Sequence, residues 1–327
     1  VSAIEVHPEV DAALRAGRPV VALESAVVTT GMPATSLGRA PRCDAPGWDA
    51  GRPTNLEVAR LLQRSVRDGG AVPAMVAVVD GALRIGLDNA GLARLVAEGA
   101  GAKASARDLA AVMAGGGTAG TTVSATLLAC RRPPAGPVRV LATGGIGGVH
   151  RGWIDRPDIS PDLRQIAGTA VCVVASGAKS ILDVPATLEA LEALGIPVIA
   201  YGTARFPLFY GSPTGGPAAP RRLDDPAAVA EVCRTHWRTL GCRGGLLVAN
   251  PVPEGHGLDQ AEIEQAVAEA EAEARQRGVS GGDRTPYLLS AIISRTGGRA
   301  LDANVALLAG NARLAGSVAA ALVDAGP

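Results

Sequence analysis

Aromatic side chains are nearly missing from this chain: Phe, Tyr and Trp make up 2% of its 327 residues. A core without large rings has to be assembled from Ala, Val and Leu, and a hydrophobic content of 47% supplies enough of them. Net charge is missing too, because 31 Lys and Arg balance 31 Asp and Glu. Nucleic-acid binders carry a basic face, so this balance argues against a nucleic-acid partner. A phosphate on a small substrate would have to be met by a local cluster. Paired cysteines are absent: Cys43, Cys130, Cys172, Cys233 and Cys242 are scattered, with no C-x-x-C spacing. That excludes a zinc knuckle or a disulfide framework and fits a reducing cytoplasm. No apolar run approaches the ~20 residues that span a bilayer. Glu5, His7 and Glu9 do not fit a secretory leader. The expectation is a cytoplasmic protein with no membrane partner.

What is present concentrates between residues 138 and 184. Apolar runs at 138–142 and 171–175 read as strands. The first opens into Thr143-Gly144-Gly145-Ile146-Gly147-Gly148-Val149-His150-Arg151-Gly152. The second opens into Ser176-Gly177-Ala178-Lys179-Ser180, and Asp158, Ser160 and Asp162 lie between them. In open α/β sheets the crevice beyond the carboxyl ends of strands binds ligands. A dinucleotide fingerprint is excluded because no helix follows the glycine run. A P-loop is excluded because Ala178 separates Gly177 from Lys179.

Around this stretch strands and helices alternate. Strands are expected at 20–23, 72–79, 82–87, 197–201 and 245–249. Helices are expected at 8–16, 55–67, 92–96, 107–114, 123–130, 187–194, 227–240, 260–276, 286–294 and 301–323. Thr54 and Glu57 have capping-box spacing for the second of these. The Glu-rich segment 260–276 reads as a solvated face, and 211–222 as a surface loop. Such alternation predicts an α/β fold with a mostly parallel central sheet and helices on both faces (α/β/α). By itself, Glu24 after its strand is as readily structural as functional, and Lys103 reads as a solvated loop lysine.

The motifs Ala22-Leu23-Glu24-Ser25, Gly31-Met32-Pro33, Lys103-Ala104-Ser105, Gly120-Thr121-Thr122-Val123, the turn at 142–152, Asp158 to Leu163, Gly177 to Asp183, Asn250-Pro251-Val252-Pro253, Thr285-Pro286 and Ala303-Asn304-Val305 occur in order over nearly the whole length. In this the chain closely resembles the pseudouridine-5′-phosphate glycosidase (indigoidine synthase A-like) family. The resemblance implies one domain over 1–327, with a Pro-, Gly- and Arg-rich loop containing Trp48 inserted at about 34–54. It implies an imine between Lys179 and C1 of ribose 5-phosphate, with Glu24 as the acid/base. An amine freed of its proton by desolvation is the nucleophile such chemistry needs. It further implies Mn²⁺ held by Asp162, a sugar-phosphate set of Lys103, Thr143, His150 and Ser160, and Thr122, Val123 and Asn304 around the aglycone. A homotrimer is implied as well.

The chain departs from the family at Ala26, Thr30, Ala106, Trp153 to Asp155 and Ala204-Arg205. These lost polar residues and the inserted loop lead to a first expectation, a C-glycosynthase joining ribose 5-phosphate to an aromatic acceptor, as family members do in assembling polyketides such as alnumycin. The alternative is a glycosidase giving uracil and ribose 5-phosphate. An inactive sugar-phosphate binder is the third reading.

Overall fold

Apolar β-branched runs become strands and the amphipathic stretches between them become helices, in a computed structural model that describes residues 4–155, 157–212, 215–279 and 281–323. The strands are β1 (Ile4–Val6), β2 (Val20–Leu23), β3 (Val72–Val79), β4 (Ala82–Ile85), β5 (Lys103–Ala104), β6 (Ala119–Thr121), β7 (Val140–Ala142), β8 (Cys172–Ala175), β9 (Val198–Tyr201), β10 (Arg222–Leu223) and β11 (Leu246–Ala249). The helices are α1 (Pro8–Arg15), α2 (Thr54–Asp68), α3 (Asn89–Glu98), α4 (Leu109–Ala114), α5 (Val123–Cys130), α6 (Pro161–Ala167), α7 (Val184–Ala193), α8 (Pro226–Arg234), α9 (Gln260–Gln276), α10 (Arg284–Arg295) and α11 (Arg299–Val323).

The main strand order is β1-β4-β3-β2-β7-β8-β11-β9-β10, with β6 pairing on β3 and β5 on β6. The run from β3 through β2, β7, β8, β11 and β9 to β10 is parallel throughout. Among the named strands of the described residues, the β3–β4 and β3–β6 pairs are the antiparallel ones. From β2 the chain steps outward to β3 and β4, and from β7 it steps the other way to β8. The crevice between β2 and β7 is therefore the switch point of the sheet, where α/β folds bind ligands.

β2, β3, β7, β8 and β11 are buried along their whole length. That is what a sheet covered on both faces requires and why these strands read as unbroken apolar runs. Among the described residues α11 alone has the length and apolarity to cross a membrane. It packs on α2, α8, β2, β7 and β8 as the central helix of one face. The predicted capping box at α2 does not form. Pro53 is the capping residue, Thr54 donates to the Thr35 carbonyl at 2.8 Å, and Glu57 accepts from the Asp49 N–H at 3.1 Å. The helix expected at 227–240 ends at Arg234 and continues as a π-helical turn, Thr235–Thr239. Part of the expected surface loop, residues 213–214, lies outside the described residues.

Candidate active site

Strand register assembles the site. Leu23 at the end of β2 pairs with Ala142 at the end of β7, so Glu24 and Thr143 leave the sheet side by side. The Thr143 hydroxyl donates to Glu24 Oε1 at 2.7 Å. Ala142 in turn pairs with Val174 of β8, which brings the turn after β8 alongside. Gly177 makes that turn at φ 77°. A Cβ there would meet the Pro207 carbonyl at 2.3 Å, so only glycine fits. The turn then bonds back, Lys179 N–H to the Ile146 carbonyl at 3.2 Å, and delivers the Lys179 side chain to the crevice.

Glu24 is 7% exposed. Burial pushes its carboxyl up, while the charge of Lys179 and the Thr143 hydrogen bond pull it partly back. A carboxyl that keeps its proton more tightly than usual, in a cavity shared with an amine, is suited to giving and taking a proton. Glu24, Lys179, Lys103, Thr122 and Asn304 line one cavity of about 80 Å³. Ligand pockets commonly run about 300–1,000 Å³, and this one is smaller.

The cavity's other walls were not among the expected site residues. Thr285, Pro286 and Leu289 at the start of α10 close one side, and Phe209 closes another. Phe209, one of two phenylalanines in the chain, has φ 59°, a conformation costly for a bulky residue. Its ring lies on Gly145, where a Cβ would sit 2.7 Å from Cε2. The rarity of aromatic residues was the one signal that could have singled it out. Ala26, Val27, Thr30 and Gly31 also line the cavity. They follow Glu24 into a π-helical turn, Val27–Gly31, a form frequent at functional sites.

The remaining expected residues are distributed around this centre. His150 is 8% exposed. Burial pushes its imidazole down; Asp158 and Glu271 push it up, and Arg284 and Lys179 push it down. Among the described residues, its Nδ1 and the Ser180 hydroxyl are buried without a hydrogen-bond partner. Glu271, from the helix read as solvated, is 5% exposed and pairs with Arg284 at 2.7 Å. Lys103 Nζ donates to the Gly282 carbonyl at 2.5 Å and so ties its strand to the turn before α10. Val123 is fully covered at the start of α5. The Ser160 hydroxyl caps α6 by accepting the Asp162 N–H at 3.2 Å.

The expected manganese site does not stand. Among the described residues no three His, Cys, Asp or Glu side chains converge to hold a metal ion. Asp162, assigned as the ligand, spends both oxygens on backbone amides: Ser124 N–H on Oδ1 and Gly147 N–H on Oδ2, each at 2.9 Å. A carboxylate at the start of α5 is stabilised there by the helix end. It fastens that helix to the glycine turn.

A buried acid and a lysine at the switch point of a mostly parallel, helix-flanked sheet define a small-molecule site of the α/β class. Residues 49–321 match the family described as "Indigoidine synthase A like protein", and the chain belongs to it. A pseudouridine-5′-phosphate glycosidase of Streptomyces griseus is 47% identical over 97% of this chain and 91% of its own. One from Methylobacterium nodulans is 48% identical over 98% and 88%. The crystal structure of the prealnumycin C-glycosynthase AlnA in complex with ribulose 5-phosphate has the same fold. Its TM-score is 0.82 at 38% identity, covering 98% of this chain and 97% of that one.

Proposed function

We propose that this chain is an enzyme that cleaves pseudouridine 5′-phosphate into uracil and ribose 5-phosphate through an imine on Lys179. The observation that carries this reading is the buried Glu24 carboxyl, pushed up by burial and sharing a cavity with Lys179. In the reaction Lys179 Nζ attacks C1, the C1–O4 bond of the ring breaks, and Glu24 gives its proton to that oxygen. The bond from C1 to the ring carbon then breaks, its electron pair leaving with uracil, which takes up a proton at that carbon. The C1=N imine left on Lys179 is hydrolysed by water, which releases ribose 5-phosphate and the free amine. Thr143 orients Glu24. His150, Lys103 and Ser160 meet the sugar phosphate, and Thr122, Val123 and Asn304 face the ring, where an amide can pair with the carbonyl and N–H edge of uracil. The whole chain serves as one unit, with residues 34–54 as an insertion.

Synthesis on an aromatic acceptor, the first expectation, becomes the second reading. It is supported by the likeness to the prealnumycin C-glycosynthase, but the curated relatives with higher identity carry the glycosidase name. Borohydride reduction with ribose 5-phosphate should leave a sugar adduct on Lys179, and Lys179→Ala should abolish adduct and turnover together. A variant that still traps sugar and turns over would refute the imine.

A further inference from the structure

Residues 33–53 put no side chain into the cavity around Lys179, yet they grip a helix that does. Arg39 lays its guanidinium on the Asp302 carboxylate, Nη1 to Oδ1 at 2.9 Å and Nη2 to Oδ2 at 3.1 Å. Asp302 is 6% exposed, and the Arg42 N–H donates to the same Oδ1 at 3.3 Å. Asp302 belongs to the first turn of α11. Two residues on, Asn304 lines the cavity, its Oδ1 3.5 Å from where a Cβ on Gly144 would lie. The loop is anchored elsewhere as well: Leu37, Cys43 and Trp48 pack on the core.

The N–H groups of this first turn are met locally, Ala300 by the Thr296 hydroxyl at 3.2 Å and Leu301 and Asp302 by the Gly298 carbonyl at 3.1 and 3.2 Å, so the loop holds the turn through the Asp302 side chain. A two-pronged guanidinium–carboxylate pair fixes orientation as well as charge. We infer that Arg39 is a positioning residue for ring recognition: through Asp302 it holds the first turn of α11, so that the Asn304 amide meets the polar edge of the ring leaving C1. The inserted loop then tunes which ring is accepted without touching it. The assignment of the ring rests on the function proposed above; the clamp itself does not.

The test uses the full chain with Arg39→Ala, Arg39→Lys and Asp302→Asn, and pseudouridine 5′-phosphate and ribose 5-phosphate as probes. Arg39→Ala should raise KM for pseudouridine 5′-phosphate about three- to tenfold, the range for a half-exposed charged pair. Borohydride trapping of ribose 5-phosphate on Lys179 should not change. Arg39→Lys should recover part of the loss, and adding Arg39→Ala to Asp302→Asn should raise KM no further. The side-chain amide resonance of Asn304, identified by its loss in Asn304→Asp, should shift in Arg39→Ala. A KM that stays put, or a KM and trapping that worsen together, overturns the inference. If the unaltered chain traps no sugar, the imine on Lys179 is wrong, and the resonance alone decides: a shift sustains the clamp and a fixed position refutes it.

Discussion

Asn311→Ala tests how the site is held together. Asn311 is fully buried on α11 and joins three strand ends. Its amide donates to the Thr143 carbonyl at 2.8 Å and lies 3.1 Å from the Ser176 hydroxyl, and its oxygen accepts from Asn250 Nδ2 at 3.0 Å. A longer contact reaches the Gly144 carbonyl at 3.3 Å, but that carbonyl already accepts the Ser176 N–H at 2.8 Å. Asn250 borders an open cavity and can turn to water. Truncation therefore strands two buried groups, the Thr143 carbonyl and the Ser176 hydroxyl. An orphaned buried polar group costs about 1–3 kcal/mol, so the expected loss is roughly 2–6 kcal/mol. Urea unfolding followed by circular dichroism, with midpoint and slope fitted separately, measures it. Because Thr143 orients Glu24, turnover should fall at urea concentrations where the variant is still folded. A loss below about 1 kcal/mol, with activity intact, would refute the argument that this amide couples β7, β8 and β11.

Glu24→Gln should cut turnover about 10²–10⁴-fold, the usual worth of a positioned acid. The same variant carries a pH signature. The folded state holds the Glu24 proton more tightly than the unfolded chain. Stability from this group is complete below the ordinary carboxylate range and falls as pH rises towards its raised folded value. Urea midpoints of the unaltered chain should therefore drop relative to Glu24→Gln across that window, and parallel curves would contradict the raised value. Gly145→Ala should press on the Phe209 ring at 2.7 Å and cost about 1–3 kcal/mol by overpacking. Pairing it with Phe209→Leu should recover most of that in a thermal melt; an unrecovered loss would place the strain elsewhere.

The sequence by itself determined the longer elements. Val72–Val79 and Gln260–Gln276 form with the expected bounds, because apolar period and end signals act within a dozen residues. The order of motifs over the chain also marked the family, and with it a set of candidate site residues. Partnership was decided only by the fold. Thr143 and Glu24 are 119 residues apart and touch because β2 and β7 are neighbours in one register. Arg39 and Asp302 are 263 apart, and neither sits in a local pattern that points to the other. Glu271 has the spacing of a solvated helical face, yet α10 covers it and supplies Arg284. Asp162 has the composition of a metal ligand, but two converging backbone amides take both its oxygens. A side chain's type is written in the chain, whereas the groups that compete for it arrive from strands and helices brought together by burial, and those contacts decide whether a carboxylate serves as acid, ligand or fastener.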